Sequence, residues 1–413
     1  MAKKNIVILG AGFGGVTAAL TIARGLGRYA DEYEIVLVDR HHHQLYTPAL
    51  YEIASIPAER ASEDILKKSI LIPTHDILAG TPVTFLSDEF TGIRKEEKKI
   101  ILKGRGELPY AFLVFALGSE TNYFGIEGLH EHSFALKTCD DALMLRNTIE
   151  RLAAGKTLAR VVVGGAGSSG VEIAAEFVNF FCALERGNAA KKLICTAQIT
   201  LVEAGPEILP GFDSWTIARA RNRLEKLGIA IRTGSRIQSV TQTEIIYQDA
   251  TREAYDILVW TGGVKGPTIL ASTGMPLSDH GAFLTDEYLG VNGARDAIFA
   301  IGDNAAVQNP ATGRAVVWNV PAAEAEGKTA AKNILALIRG GSKEKFVAQK
   351  KYPFVLALGK KYAIADLGPL RTAGLFGWCV KQLVELRYLL RILHLAKAFG
   401  IWRLGIKAYT SND

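Results

Sequence analysis

Gly10-Ala11-Gly12-Phe13-Gly14-Gly15 decides the fold: an apolar run at residues 5–9 precedes it, and a helical pattern reaching about residue 27 follows it. The spacing is G-x-G-x-x-G. The first glycine permits a tight turn, the second lets backbone approach a pyrophosphate, and the third lets the helix pack closely on its strand. A helix starting there offers unbonded N–H groups and a positive dipole end to phosphate. A second apolar run at residues 34–38 ends in Asp39, where a carboxylate can accept bonds from both hydroxyls of a ribose. A glycine motif alone is weak evidence. The strand before it, the helix after it and the acid at the next strand end make it specific.

The pattern returns. Gly165-Ala166-Gly167-Ser168-Ser169-Gly170 lies between apolar runs at residues 160–163 and 199–202, and Glu203 closes the second run. The acid is further from the turn than usual, and the polar stretch 186–192 reads as an insertion after a long helix. A carboxylate at Glu203 would repel a 2′-phosphate, and no arginine follows immediately, so NADH is expected over NADPH. Two strand–turn–helix–strand openings imply two doubly wound units. Three further apolar strands end in glycine: 113–117 before Gly118, 257–260 before Gly262, and 297–301 before Gly302-Asp303. Glycine there lets a ligand approach the strand end, and Asp303 can bond a ribityl hydroxyl. The expectation is an α/β chain with two Rossmann-like nucleotide-binding domains, the second inserted in the first. The first domain spans 1–145 and 266–345, the second 146–265, and a C-terminal region 346–413. Arg94–Lys99 and similar charged stretches read as loops or hairpins at a sheet edge.

Composition agrees with a folded chain. Of 413 residues, 48% are hydrophobic and 22% charged, which excludes a disordered protein. The net charge is +6. Much of the excess lies near the C-terminus, where Arg371, Lys381, Arg387, Arg391, Lys397, Arg403 and Lys407 face only Glu385. Nucleic acid is not expected as a partner. Lys3 and Lys4 before an apolar stretch imitate a signal sequence, but the glycines inside that stretch oppose it. No charge-free run is long enough to span a membrane. The four cysteines, Cys139, Cys182, Cys195 and Cys379, form no C-x-x-C and no zinc spacing, and inert thiols are expected. His41-His42-His43 reads either as a metal group or as the lining of the adenosine end beside Asp39 and Arg40. Successive side chains of an extended segment point apart, which favours the second, and no metal is expected.

Two further features carry alternatives. Glu172, read as lying in the first turn of the second glycine helix, either complements the helix dipole or stands near a nicotinamide. The C-terminal segment, treated as one helix, puts Arg387, Arg391 and His394 on one face and Leu386, Leu389, Leu390 and Leu393 on another, with Lys397 on the apolar side. With Trp378, Tyr388, Phe399 and Trp402 it suits an anionic membrane surface; the alternative is a dimer contact.

Taken together, these residues resemble the two-dinucleotide-binding-domain flavoproteins, and within them the type II NADH dehydrogenases, non-pumping NADH:quinone oxidoreductases. The resemblance rests on G-A-G-F-G-G, on 39–51, 164–172, 203–212, 259–264 and 300–303, and on W-C-V-K-Q-L-V-E-L-R-Y-L at 378–389. It implies FAD on the first unit, held by Gly10, Gly12, Phe13, Gly14, Gly15, Asp39, Arg40, Gly118, Gly302 and Asp303. It implies NADH on the second, held by Gly165, Gly167, Ser169, Gly170, Glu203 and Gly262. It further implies a quinone channel from the membrane side, Glu172 near the nicotinamide, Lys381 near the quinone end, and a peripheral place on the cytoplasmic face of the cell membrane, with a homodimer as an open expectation. One departure stands out. Anchored on Gly327, the chain reads V-P-A-A-E-A-E-G, so Pro321 and Ala325 replace the two glutamines beside the flavin, and Glu324 or Glu326 would have to compensate. Two rival readings follow from that: a sulfide:quinone oxidoreductase using Cys139 and Cys379, and a flavin-bearing sensor or binding protein.

Overall fold

The run K-N-I-V-I-L forms the strand Lys4–Leu9, whose last four residues are buried. Being apolar on both faces, it suits the middle of a parallel sheet covered on both sides. In the computed structural model, which describes residues 3–155, 158–188, 196–294, 297–309 and 312–412, it lies between Tyr33–Asp39 and Phe112–Phe115. Val83–Ser87 and Ile298–Ala300 are the two edges. All four pairings are parallel. Leu9, Asp39, Phe115 and Ala300 therefore end at one border of the sheet, the border where ligands of such sheets bind. The helices Phe13–Gly25 and Val320–Ile338 cross closely, because a Cβ on Gly327 would stand 2.5 Å from the Gly14 carbonyl oxygen. The charged stretch 94–99 is the tip of an antiparallel hairpin, Phe90–Arg94 with Lys99–Leu102. Phe90 meets Phe115 edge-on at 5.5 Å, which joins the hairpin to the core beneath the sheet.

These elements make one compact unit, Met1–Gln44, Ile72–Glu120 and Val264–Tyr352. The other unit comprises Leu45–Leu71, Thr121–Gly263 and Pro353–Asp413. Its parallel sheet has Leu158–Gly164 at the centre. Thr196–Val202 and Ala230–Arg232 lie on one side, and Ile257–Trp260 and Phe134–Ala135 on the other. The glycine-turn helix of this unit runs Ser168–Asn188, so most of the expected insertion at 186–192 lies outside the described residues. Cys195 lies outside them too.

The units divide the chain differently from the expected 1–145 with 266–345, 146–265 and 346–413. Residues 45–71 group with the second unit because the helices Leu50–Ile53 and Glu63–Ile70 pack on its helices Cys139–Gly155, Ser168–Asn188 and Leu395–Tyr409. Arg146, only 2% exposed, reaches the Ala61 carbonyl there at 3.4 Å. The C-terminal residues belong to the same unit. The antiparallel strands Phe354–Ala357, Ala363–Asp366 and Arg371–Gly374 lead into a helix that packs on them.

The single amphipathic C-terminal helix is corrected. Helix Leu375–Ile392 ends at Leu393, which is extended (φ −128°, ψ 158°), and His394 starts a second helix, Leu395–Tyr409. Arg387, Arg391 and His394 therefore do not share one continuous face, and Lys397 sits on a different helix from the leucines it was grouped with. Leu389 and Leu393 are buried, while Leu390 is exposed. The indole N–H of Trp402 donates to the Gln382 carbonyl at 2.9 Å and ties the helices together. Among the described residues, no helix is long and apolar enough to cross a membrane.

Candidate functional site

The two glycine turns have the same construction. Gly10 has φ +103° and Gly165 φ +96°, a region that penalises any side chain. A Cβ on Gly10 would stand 2.2 Å from the Ala116 carbonyl oxygen, and one on Gly165 2.4 Å from the Gly262 Cα. Each turn is pinned to the neighbouring strand: the Gly10 N–H donates to Val38 O at 2.7 Å, the Gly165 N–H to Val202 O at 2.8 Å. The third glycines, Gly15 and Gly170, pack with no room for a Cβ, whereas beside Gly12 and Gly167 a Cβ would meet nothing within 4 Å. That open side at a helix start is where a pyrophosphate fits. Phe13 opens the first helix, and no side chain caps that helix. Ser169 lies exposed in the first turn of the second.

The acids bind the turns they follow. Asp39 accepts from the Ala11 N–H at 2.7 Å and the His41 N–H at 2.8 Å. Glu203 accepts from the Ala166 N–H at 2.9 Å and the Gly205 N–H at 2.8 Å. Both carboxylates stay partly exposed, so lone pairs remain for ribose hydroxyls. Arg40 bonds the His41 ring at 3.1 Å. His41 and His43 face each other at 5.4 Å while His42 turns to Phe85. Among the described residues no group of three His, Cys, Asp or Glu is arranged to hold a metal ion.

The far side of the first turn was only half legible. Asp303 accepts from the Ser119 hydroxyl at 2.5 Å. Its neighbour Asn304, fully buried, takes the Leu117 N–H at 2.6 Å and donates to the Gly118 carbonyl at 2.7 Å. Glu326, 2% exposed, accepts from the Gly302 N–H at 2.6 Å. Burial pushes its carboxyl up to about 8; the Gly302 N–H opposes that and Asp303 reinforces it. Ser119 and Asn304 were missed because no local pattern marks them, whereas Glu326 was singled out with Glu324 as a stand-in for the absent glutamines. Glu326 is engaged with Gly302, and Pro321 lies in the first turn of its helix, where a missing N–H costs nothing, with Asn319 as cap. Gly118 and Gly302, at φ +73° and +60°, shape this wall. Cradle, carboxylate and second wall fit a dinucleotide such as FAD. The second turn, Glu203 and the glycine at 262 fit a second one such as NADH.

Glu172 is not in the first turn of its helix, which holds no acid, so the dipole reading fails. Its Oε1 instead accepts from the Ala357 N–H at 3.2 Å, and its carboxyl is raised to about 8, chiefly by burial. Lys381 pairs with Glu52; their side chains are only 15% and 6% exposed. Burial alone would lower the Lys381 ammonium, but Glu52, Glu385 and Glu176 outweigh it and hold it above the usual lysine value. Cys139 is buried and its thiol is pushed up to about 11, chiefly by burial, which makes it a poor nucleophile, while Cys379 is exposed.

Comparison with known proteins gives the same picture. The chain is 30% identical over 312 residues to the demethylphylloquinone reductase NdbB of a Synechocystis species, covering 74% of this chain and 72% of that protein. It is 26% identical over 411 residues to the type II NADH:quinone oxidoreductase of Staphylococcus aureus, covering 96% and 98%. In fold it is similar to NDH2 of Plasmodium falciparum, solved in complex with NADH, with TM-score 0.83 and 20% identity over 98% of both chains. It is similar also to the sulfide:quinone oxidoreductase of Aquifex aeolicus, with TM-score 0.75 and 17% identity over 98% and 92%. Residues 4–327 match the sequence signature of one flavoprotein family, and with both glycine turns inside that span, the chain belongs to the pyridine nucleotide-disulphide oxidoreductases.

Proposed function

We propose that the chain is a type II NADH:quinone oxidoreductase: it binds FAD and NADH and passes electrons from NADH to a quinone. One observation carries this reading. The match to the Staphylococcus aureus enzyme covers 96% of this chain, so it runs well past residue 327, where the family match ends. Bound FAD would supply the two-electron relay between NADH and quinone. The protein's task is to bind and orient. The turn at 10–15, Asp39 and Asp303 would hold FAD. The turn at 165–170 and Glu203 would hold NADH and disfavour the 2′-phosphate of NADPH. Glu172 would stand at the nicotinamide end, and Lys381, fixed by Glu52, at the quinone end. A neutral carboxyl at Glu172 can donate a proton, which suits a reaction that protonates its product.

The C-terminal helices would attach the protein to the membrane surface. Phe376 is 76% exposed, Leu395 70% and Leu383 61%, and Arg387, Arg403 and Lys407 are exposed on the same two helices. Apolar side chains beside cations suit anionic headgroups. The place we assign is peripheral, on the cytoplasmic face; self-association through these helices is the competing use.

The reading is tested on purified protein. It should be yellow, bleach anaerobically with NADH far faster than with NADPH, and regain colour on adding a short-chain quinone. Sulfide-driven quinone reduction lost in Cys139→Ser would favour the sulfide reading instead.

A further inference from the structure

Reduction of a quinone by NADH follows NADH + H⁺ + quinone → NAD⁺ + quinol. Two electrons and one proton come from NADH. The other proton comes from solvent and has to reach the ring without exposing it. The second unit contains a buried polar cluster that the nucleotide turns do not use. The Lys381–Glu52 pair is its centre. Glu172 and Glu385 both feel the charges of that pair.

Glu385 is 3% exposed and stands one turn from Lys381 and Gln382 on the same helix. A Cβ on Gly405 of the last helix would stand 3.3 Å from Glu385 Oε1, so that glycine leaves the carboxyl its space. From the glycine-turn helix come Glu172, Glu176 and Asn179, at i, i+4 and i+7 on one face. Tyr51 comes from the helix Leu50–Ile53, and the Lys381 ammonium lies 5.3 Å from its ring and 5.8 Å from that of Tyr409. The Tyr409 hydroxyl donates to Ser69 at 2.9 Å, and Tyr46 stands near it.

Among the described residues, several polar atoms in this cluster have no protein partner. Gln382, 4% exposed, bonds through neither its amide nitrogen nor its amide oxygen, and the Tyr51 hydroxyl and Asn179 Oδ1 are also unpaired. Orphaned polar atoms at such depth are costly unless water satisfies them, and together these supply the several polar partners that a buried water needs. The tyrosines do not compete for the proton: burial and the surrounding carboxylates hold Tyr51 and Tyr409 well above the usual phenol value. Burial brings Glu385 to about 7, opposed by Lys381 and reinforced by Glu52.

We propose that Glu385 is a proton-holding residue for the quinone half of the reaction, taking a proton from water beside Gln382 and passing it along the Lys381–Glu52 pair toward Glu172. Each transfer moves one proton; the carboxyl that gives it is reprotonated from water, and no protein group changes oxidation state. The inference rests on the reading of the chain as an NADH:quinone oxidoreductase.

The test compares wild-type holoenzyme, Glu385→Gln and Glu385→Asp from about pH 5.5 to about 9, with saturating NADH and a decyl-substituted benzoquinone. Wild-type kcat should bend near pH 7. Glu385→Gln should lose that bend and fall about tenfold or more, while its anaerobic bleaching by NADH stays at the wild-type rate. Glu385→Asp should recover part of the rate and a displaced bend. A glutamine variant with wild-type kcat and bend would overturn the proposal. So would equal losses in bleaching and in quinone turnover, or an aspartate variant no better than glutamine. If NADH bleaches none of the three proteins, the oxidoreductase reading itself falls, and this inference with it.

Discussion

The two glycine turns can be superposed in description yet differ in what stands across from them. In the first unit, Asp303 with Ser119, Asn304 with the backbone at 117–118, and Glu326 with Gly302 build a second polar wall. In the second, the facing strand end is Thr261 and Gly262, where the Thr261 hydroxyl donates to the carbonyls of Gly164 at 3.1 Å and Gly165 at 2.8 Å. Two walls suit a group that stays bound through every turnover. One wall and a glycine suit a nucleotide that must leave each time. The fold is shared; the two turns differ in a few side chains at the strand ends.

The largest effect should come from the turns themselves. Gly10→Ala puts a methyl 2.2 Å from a carbonyl oxygen and should give colourless protein, read by absorbance at flavin wavelengths. Gly165→Ala should stay yellow and lose its bleaching by NADH. If both variants come out colourless, the contrast between resident and exchanging nucleotide breaks. Next, Asn304→Ala leaves a buried N–H and carbonyl unpaired and should cost about 1–3 kcal/mol in urea unfolding, whereas Thr261→Val should cost less, about 1 kcal/mol. Equal losses would show that the second wall is not special.

Glu203→Ala should raise the KM for NADH about tenfold and narrow the preference over NADPH, measured by steady-state kinetics. The smallest effect is a slope. Glu326 is raised from the usual carboxylate value of 4.5 to about 8, so the folded unit keeps a proton that the unfolded chain has released. Stability should therefore fall as pH rises through that window and level off above it. Glu326→Gln should flatten this part of the melting-temperature profile, and an unchanged slope would remove Glu326 from the wall.

The turns were legible because their physics is local: glycine spacing, an apolar run and an acid lie within one strand–helix–strand unit. Glu52 and Lys381 were not legible as a pair, because they meet across 329 positions of sequence and nothing near either residue announces the other. Asn304 was hidden for a similar reason, standing inside what reads as a plain turn after Gly302-Asp303. The break at Leu393 escaped detection because neither glycine nor proline marks it, and the leucine–arginine periodicity runs straight through it. Residues 45–71 read as part of the first unit by order along the chain, yet their partners lie on the other unit's helices.

The interleaved division of the chain has a consequence for its birth on the ribosome. Neither unit is continuous: one needs the edge strand Ile298–Ala300 and the helix Val320–Ile338, the other needs the helices that end at Tyr409. Neither can close while the polypeptide is half made, so the prosthetic group has no finished berth until translation is nearly over. Premature termination upstream of residue 352 would leave both units incomplete, and termination between there and the last helix would still leave the second one unfinished.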